Sequence, residues 1–231
     1  MIVSVHQPHY LPWLGYLDKV DSADVFVLLD TVQFEKNGWQ NRNKIKSADG
    51  WMWLTVPVTH KLGKRIMDIR INPTVLWAKK HLHALITNYS KAPFFSLHEE
   101  YFREIYSRNW EYLSELNEEM LEYYIQQTGI ATEITRASSL GELPEDPNER
   151  LAVIVKKVGG DIYLAGRGSG DYLSEEPFRE IGIQVVFQDY EPARYSQLYE
   201  GFVPRLAVVD ALFNVGGDTM RVIREGRRTV L

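Results

Sequence analysis

Two histidines three positions apart, His6 and His9, are the first residues in the chain equipped for chemistry. They sit in "VHQPHYLPWLGYL", Val5 to Leu17, directly after a short apolar run. Imidazole transfers protons near neutral pH, and at a strand end it can address whatever the next loop encloses. Gln7, Tyr10, Trp13 and Tyr16 crowd the same stretch with polar heads on flat apolar bodies. The plainer reading makes His6 a satisfied strand-end residue and His9 a donor to a backbone carbonyl. Two histidines in such company balance it, so His9 and His6 are the catalytic candidates.

A second stretch, "DTVQFEKNGWQNRNKIK", starts at Asp30 and carries Gln33, Trp39, Gln40, Asn41 and Arg42. Amides and Arg suit a carboxylate or phosphate, and Trp offers a stacking face. A long polar loop making its own turns is the alternative. A third, "YLAGRGSGDYL", places Gly166, Gly168 and Gly170 around Arg167 and Ser169, with Tyr172 close behind. Such glycines let backbone approach an anion, although a surface turn would use them equally well. The stretch has neither the Gly-Lys-Ser/Thr ending of a P-loop nor Gly-x-Gly-x-x-Gly spacing.

Other motifs carry less. His81 and His83 diverge on a helix, and His60 and His98 have no partner visible in sequence. With no Cys and no His-Glu-x-x-His, no metal site is expected, and no Gly-x-Ser-x-Gly elbow supports a serine hydrolase.

Elements must position these residues. "IVSVH" (Ile2 to His6) and "DVFVLLD" (Asp24 to Asp30) read as buried strands, joined through a short helix in "PWLGYLDKVDSA". A strand, helix and strand in that space predict a βαβ unit, whose ligands gather at the carboxyl ends of the strands. Asn43 to Asn72 reads as antiparallel strands with an Asp49-Gly50 turn, and residues 75–128 as three helices broken near "KAPFF". Asp146-Pro147-Asn148-Glu149 is a capped helix start. "DIYLAG" is then a strand, "RGSGDYL" a loop, "SEEPFREIGI" a helix and "QVVFQDY" a strand. Two helices close the chain.

The fold class expected is therefore α/β. Its sheet is mostly parallel, nucleotidylyltransferase-like or Rossmann-like, with a small antiparallel segment and a helical cap or insertion over 75–128 in a single domain. Nucleotidylyltransferases carry His-x-Gly-His at the start of their first helix. That slot here reads Trp13-Leu14-Gly15-Tyr16, so the likeness is to architecture rather than to chemistry.

The 231 residues carry a formal charge of −5, which offers no global basic field for nucleic acid or anionic lipid. The longest apolar runs fall far short of the roughly 20 residues that span a bilayer, and "MIVSVHQPHY" lacks a signal-peptide pattern. No nucleic acid, no membrane insertion and a cytoplasmic location are the expectations.

Several stretches together resemble the WbqC-like protein family. They are "HQPHYLPWLGYLDKVDSADVFVLLDTVQF", "WQNRNKIK", "WLTVPV", "GGDIYLAGRGSGDYL", "GIQVVFQDYEPARYSQ" and "VVDALFNVG". The resemblance runs along nearly the whole chain. It implies a bacterial protein tied to lipopolysaccharide O-antigen or other surface-polysaccharide synthesis, and a glycyl or other aminoacyl transfer. The expected function is thus an acyl or aminoacyl transferase acting on an amino sugar or nucleotide-linked sugar precursor. A nucleotide or another activated donor would be the cofactor, and the substrate would be a small anionic or sugar-linked molecule. An ATP-dependent nucleotidylyl transferase or ligase, and a non-catalytic binding subunit of a polysaccharide pathway, are the alternatives. All three turn on whether His9 and Gly168, far apart in sequence, meet at one ligand.

Overall fold

Apolar residues fill the central strands almost without alternation, as they must when both faces of a sheet are covered. The computed structural model describes residues 1–59, 63–170 and 173–229, with Ser169 as backbone alone, so His60 and Tyr172 lie outside the described residues. Strand β1 (Ile2–His6) leads through helix α1 (Leu14–Asp21) to β2 (Val25–Leu28). A hairpin, β3 (Arg42–Ser47) and β4 (Gly50–Thr55), and a short pair, β5 (Val58–Thr59) and β6 (Arg70–Ile71), supply the antiparallel segments. Three helices follow: α2 (Trp77–Tyr89), α3 (Phe95–Ile105) and α4 (Leu113–Thr128). The chain continues through β7 (Glu133–Arg136), α5 (Pro147–Lys157), β8 (Ile162–Ala165), α6 (Glu176–Glu180) and β9 (Gln184–Phe187). It closes with α7 (Val208–Val215) and α8 (Thr219–Glu225).

The five-stranded sheet is parallel throughout, in the order β7-β2-β1-β8-β9. Counting only these strands along the chain, this is the 3-2-1-4-5 order of a Rossmann-like sheet. The chain winds outward from β1 in one direction and then from β8 in the other. The crevice beyond their carboxyl ends is therefore the topological switch point, where open α/β sheets bind ligands.

The α/β expectation and the parallel pairing of β1 with β2 hold. Sequence reading missed β7, a half-buried edge strand too short to show a period. The stretch read as a loop after β8 contains a single 3₁₀ turn, Arg167–Ser169.

Two cores flank the sheet. Val3, Val5, Val25 and Val27 point to the side covered by α5 and α6, with Ile154, Val155 and Phe178. Phe26 and Leu28 point to the other side, where α1, α2, α3, α4, α7 and the hairpin pack together. Helix α7 is buried almost all round. Its Asp210 accepts hydrogen bonds from the hydroxyls of Tyr89 and Tyr195, both at 2.8 Å, which satisfy a carboxylate fully removed from solvent.

Candidate active site

Strand register brings the site together. Ser4 on β1 lies abreast of Leu164 on β8, so two residues further His6 comes level with Gly166 at the sheet edge. A cavity of about 530 Å³ opens there. Its walls are His6, Trp13 at the N-cap of α1, one face of α1 (Gly15, Tyr16, Lys19), Trp39, the Gly166-Arg167-Gly168 turn, Gln188 and Tyr190 beyond β9, and Arg205. That volume lies within the range of small-molecule sites. His6 from the first strand and Gly168 from beyond residue 160 thus face one space.

Of the two histidines, His6 lines the cavity and His9 packs behind it. Their rings meet edge-on at 4.7 Å, and Tyr16 lies 4.9 Å from each. The Nδ1 of His6 is 3.1 Å from the carbonyl oxygen of Gln7. A carbonyl only accepts, so Nδ1 carries the proton and Nε2 keeps the lone pair. Burial, then the nearby Lys19 and His9, hold the His6 pKa well below its ordinary value, and the ring is a neutral base at pH 7. Burial and Lys19 lower His9 to about 3.

Lys19 is the decisive residue that sequence reading passed over. Its side chain is 2% exposed, its ammonium donates to the Val5 carbonyl at 2.9 Å, and burial lowers its pKa to about 7. No described carboxylate pairs with it or lines the cavity. Arg167 makes an exposed ion pair with Asp189 at 3.0 Å, and Arg205 extends from a loop in which its own φ is +57°. Three basic side chains around one cavity, with no acid among the described walls, make an environment for an anion. The signal for Lys19 was its spacing: three beyond Tyr16 and four beyond Gly15, it shares their helical face. Sequence reading makes Gln188 and Tyr190 the last residues of a strand; β9 ends at Phe187, so both lie just past it, at the end where ligands gather. Tyr190 is buried with its hydroxyl unpartnered among the described residues.

Several sequence candidates build the walls from behind. Gln40 donates to the Gln7 side chain at 2.6 Å, Trp39 offers its carbonyl to the Tyr10 amide at 3.1 Å, and Asn43 donates to the Leu11 carbonyl at 2.6 Å. These bonds tie the first loop to the second and bring Trp39 to the cavity. Leu11 is held at φ +46°, a conformation that costs an ordinary residue about 1 kcal/mol or more, which the surrounding bonds offset. Asn41 exchanges hydrogen bonds with the Val56 backbone. Tyr10 is fully buried, bonded to His81 and Tyr106, and does not reach the cavity.

Other candidates stand elsewhere. Asp30 accepts from the backbone and hydroxyl of Ser138 beside a separate cavity of about 180 Å³ lined also by Glu115, Glu118 and Arg136. Gln33 is exposed and bridges to Arg65. Arg42 stacks on Trp53, and Gly170 lies beyond the lining turn. Among the described residues, no cluster of three or more His, Asp or Glu is placed to hold a metal ion, and no helix is long and apolar enough to cross a membrane.

Fold and site together define a Rossmann-like α/β protein with a cavity at its switch point whose described charged walls are basic. The family model described as "WbqC-like protein family" matches residues 7–222, and the chain belongs to that family. The uncharacterized protein Rv1507c of Mycobacterium tuberculosis (strain ATCC 25618 / H37Rv) is 35% identical over 230 residues, covering 98% of this chain and 99% of its own. No solved structure matches.

Proposed function

We propose that this protein transfers an acyl or aminoacyl group, glycyl among the candidates, to an anionic, sugar-linked acceptor. Family membership suggests a role in polysaccharide biosynthesis, and the cavity's chemistry supports a charged precursor as the substrate. One observation carries the reading: a neutral imidazole, His6, opens onto the same cavity as Lys19, Arg167 and Arg205.

In this reading Lys19 and Arg205 hold the phosphate or carboxylate, and Trp13 and Trp39 give flat faces to a ring. The acceptor amine or hydroxyl attacks the acyl carbon of an activated donor, and the bond from that carbon to the leaving group breaks. His6 Nε2 takes the acceptor's proton and returns it to the leaving group. The turn's glycines let backbone come close to the developing oxyanion, with the Gly168 N–H as its donor in this reading. His9 acts as a positioning residue, through its ring contact with His6.

The test begins with binding, because the donor is unidentified. Pyrophosphate and UDP are titrated calorimetrically into wild type and Arg205→Ala. Saturable binding weakened about tenfold in the variant supports the site, and equal binding refutes it. Once the donor is found, His6→Gln is expected to lower kcat by about 10² to 10⁴ with little change in affinity. The nucleotidylyl-transfer reading is favoured by the strand order alone. Formation of a nucleotide-linked product from ATP and a sugar phosphate would select it instead.

A further inference from the structure

The hairpin beside the cavity displays an aromatic and basic strip of which the proposed chemistry uses only the first member, Trp39. Trp39 precedes β3 and lines the cavity. Its ring lies 5.7 Å from that of Trp53, which lies 5.7 Å from Trp51, so three indoles step outward along the hairpin. The antiparallel register explains the alignment. Lys44 sits opposite Trp53 and Arg42 opposite Thr55, so Arg42, Lys44, Trp51 and Trp53 share one face of the ribbon. The Arg42 guanidinium lies 4.3 Å from the Trp53 ring centre, and the Lys44 ammonium 4.6 Å from that of Trp51.

Trp39 and Trp51 are 44% and 45% exposed, a large share for the largest apolar side chain. Neither Arg42 nor Lys44 has an acidic partner among the described residues, and Arg42 Nε is buried without a hydrogen-bond partner. Beyond them Lys46 is capped by the carbonyls of Glu200 and Gly201, in the loop that also carries Arg205 to the cavity.

We propose that the Trp39–Trp53–Trp51 strip, with Arg42 and Lys44, is a binding platform for an anionic oligosaccharide whose terminal unit enters the cavity. The apolar C–H face of a pyranose packs against an indole, and a uronate or phosphate substituent meets the two cations. Charge and continuity both select this occupant. The strip is basic on a chain of net charge −5, and its first indole is also a wall of the small-molecule site. Stacking with cations also suits a single-stranded nucleic acid. Two cations and an acidic chain overall make the smaller charged saccharide the better fit, and an oligonucleotide becomes a competitor in the test. The inference rests on the cavity reading above, since it extends the same site.

Tetragalacturonate, a heparin-derived tetrasaccharide, neutral maltotetraose and an eight-residue oligouridylate are titrated by intrinsic tryptophan fluorescence and calorimetry. Wild type, Trp51→Ala and Lys44→Gln are compared. At least one anionic tetrasaccharide is expected to bind saturably, about tenfold more tightly than maltotetraose and the oligouridylate. Each variant is expected to weaken that binding about tenfold while pyrophosphate binding in the cavity stays at the wild-type level. In wild type, no saturable binding of either anionic tetrasaccharide or tighter binding of the oligouridylate overturns the platform, as does wild-type tetrasaccharide affinity in both variants. Absence of anionic-tetrasaccharide binding in wild type, with wild-type pyrophosphate binding intact, refutes the platform alone. Absence of pyrophosphate binding in wild type refutes the cavity reading.

Discussion

Replacing Lys19 with Met removes the charge at the wall of the cavity and keeps most of the side chain's length. In the fold the amine's pKa falls from the ordinary 10.5 to about 7, through burial. The unfolded chain therefore binds more protons than the folded one between those values, and the penalty is largest below pH 7 and is relieved as pH rises towards 10.5. For this side chain, 2% exposed, that corresponds to about 4 kcal/mol at pH 7 and about 2 kcal/mol at pH 9. Met escapes the penalty but leaves the Val5 carbonyl without its donor, which costs about 1–3 kcal/mol at either pH. Lys19→Met is thus expected to be more stable than wild type at pH 7, with the advantage shrinking by about 2 kcal/mol at pH 9. Urea denaturation of both proteins at the two pH values measures it, and changes common to both cancel in the difference. Saturating pyrophosphate should restore the wild-type ammonium and flatten the pH dependence of the gap. A stability gap that is the same at both pH values would refute the reasoning, because it would mean that Lys19 stays hydrated and charged in the fold.

Two further substitutions test how the site is supported. A Cβ at Gly15 would overlap the Trp13 indole across the cavity wall. Gly15→Ala is expected to cost about 1–3 kcal/mol by displacing that ring and to weaken pyrophosphate binding. Thermal melting and calorimetry read the two effects. Asp210→Ala leaves the Tyr89 and Tyr195 hydroxyls without their acceptor inside the core, a loss of about 2–4 kcal/mol in urea unfolding.

Much of this protein was legible in the order of its residues, because strands and capped helices are written by local chemistry. The apolar run before His6 and the glycines after Ala165 marked two strand ends. The rule that ligands gather at such ends named His6, Trp13, Tyr16, Gly166, Arg167 and Gly168, all of which line the cavity. Sequence alone could not choose between His6 and His9. That choice depended on the turn at Leu11 and its bond to Asn43, which bury His9 behind His6. Nor could it tell that Gln40 and Asn41 would spend their amides on the chain itself, since a polar loop reads the same whether it binds a ligand or holds a neighbour.

What the sequence determined by itself was most of the elements, all but the edge strand β7 of the parallel sheet, together with the family and the absence of cysteine chemistry. Tertiary structure alone decided that β8 lies beside β1, that Lys19 is drawn out of water, and that Arg205 arrives from a distant loop. The reason is physical. Periodicity and capping act within a few residues, whereas burial and charge balance are set by neighbours that the chain supplies from more than a hundred positions away.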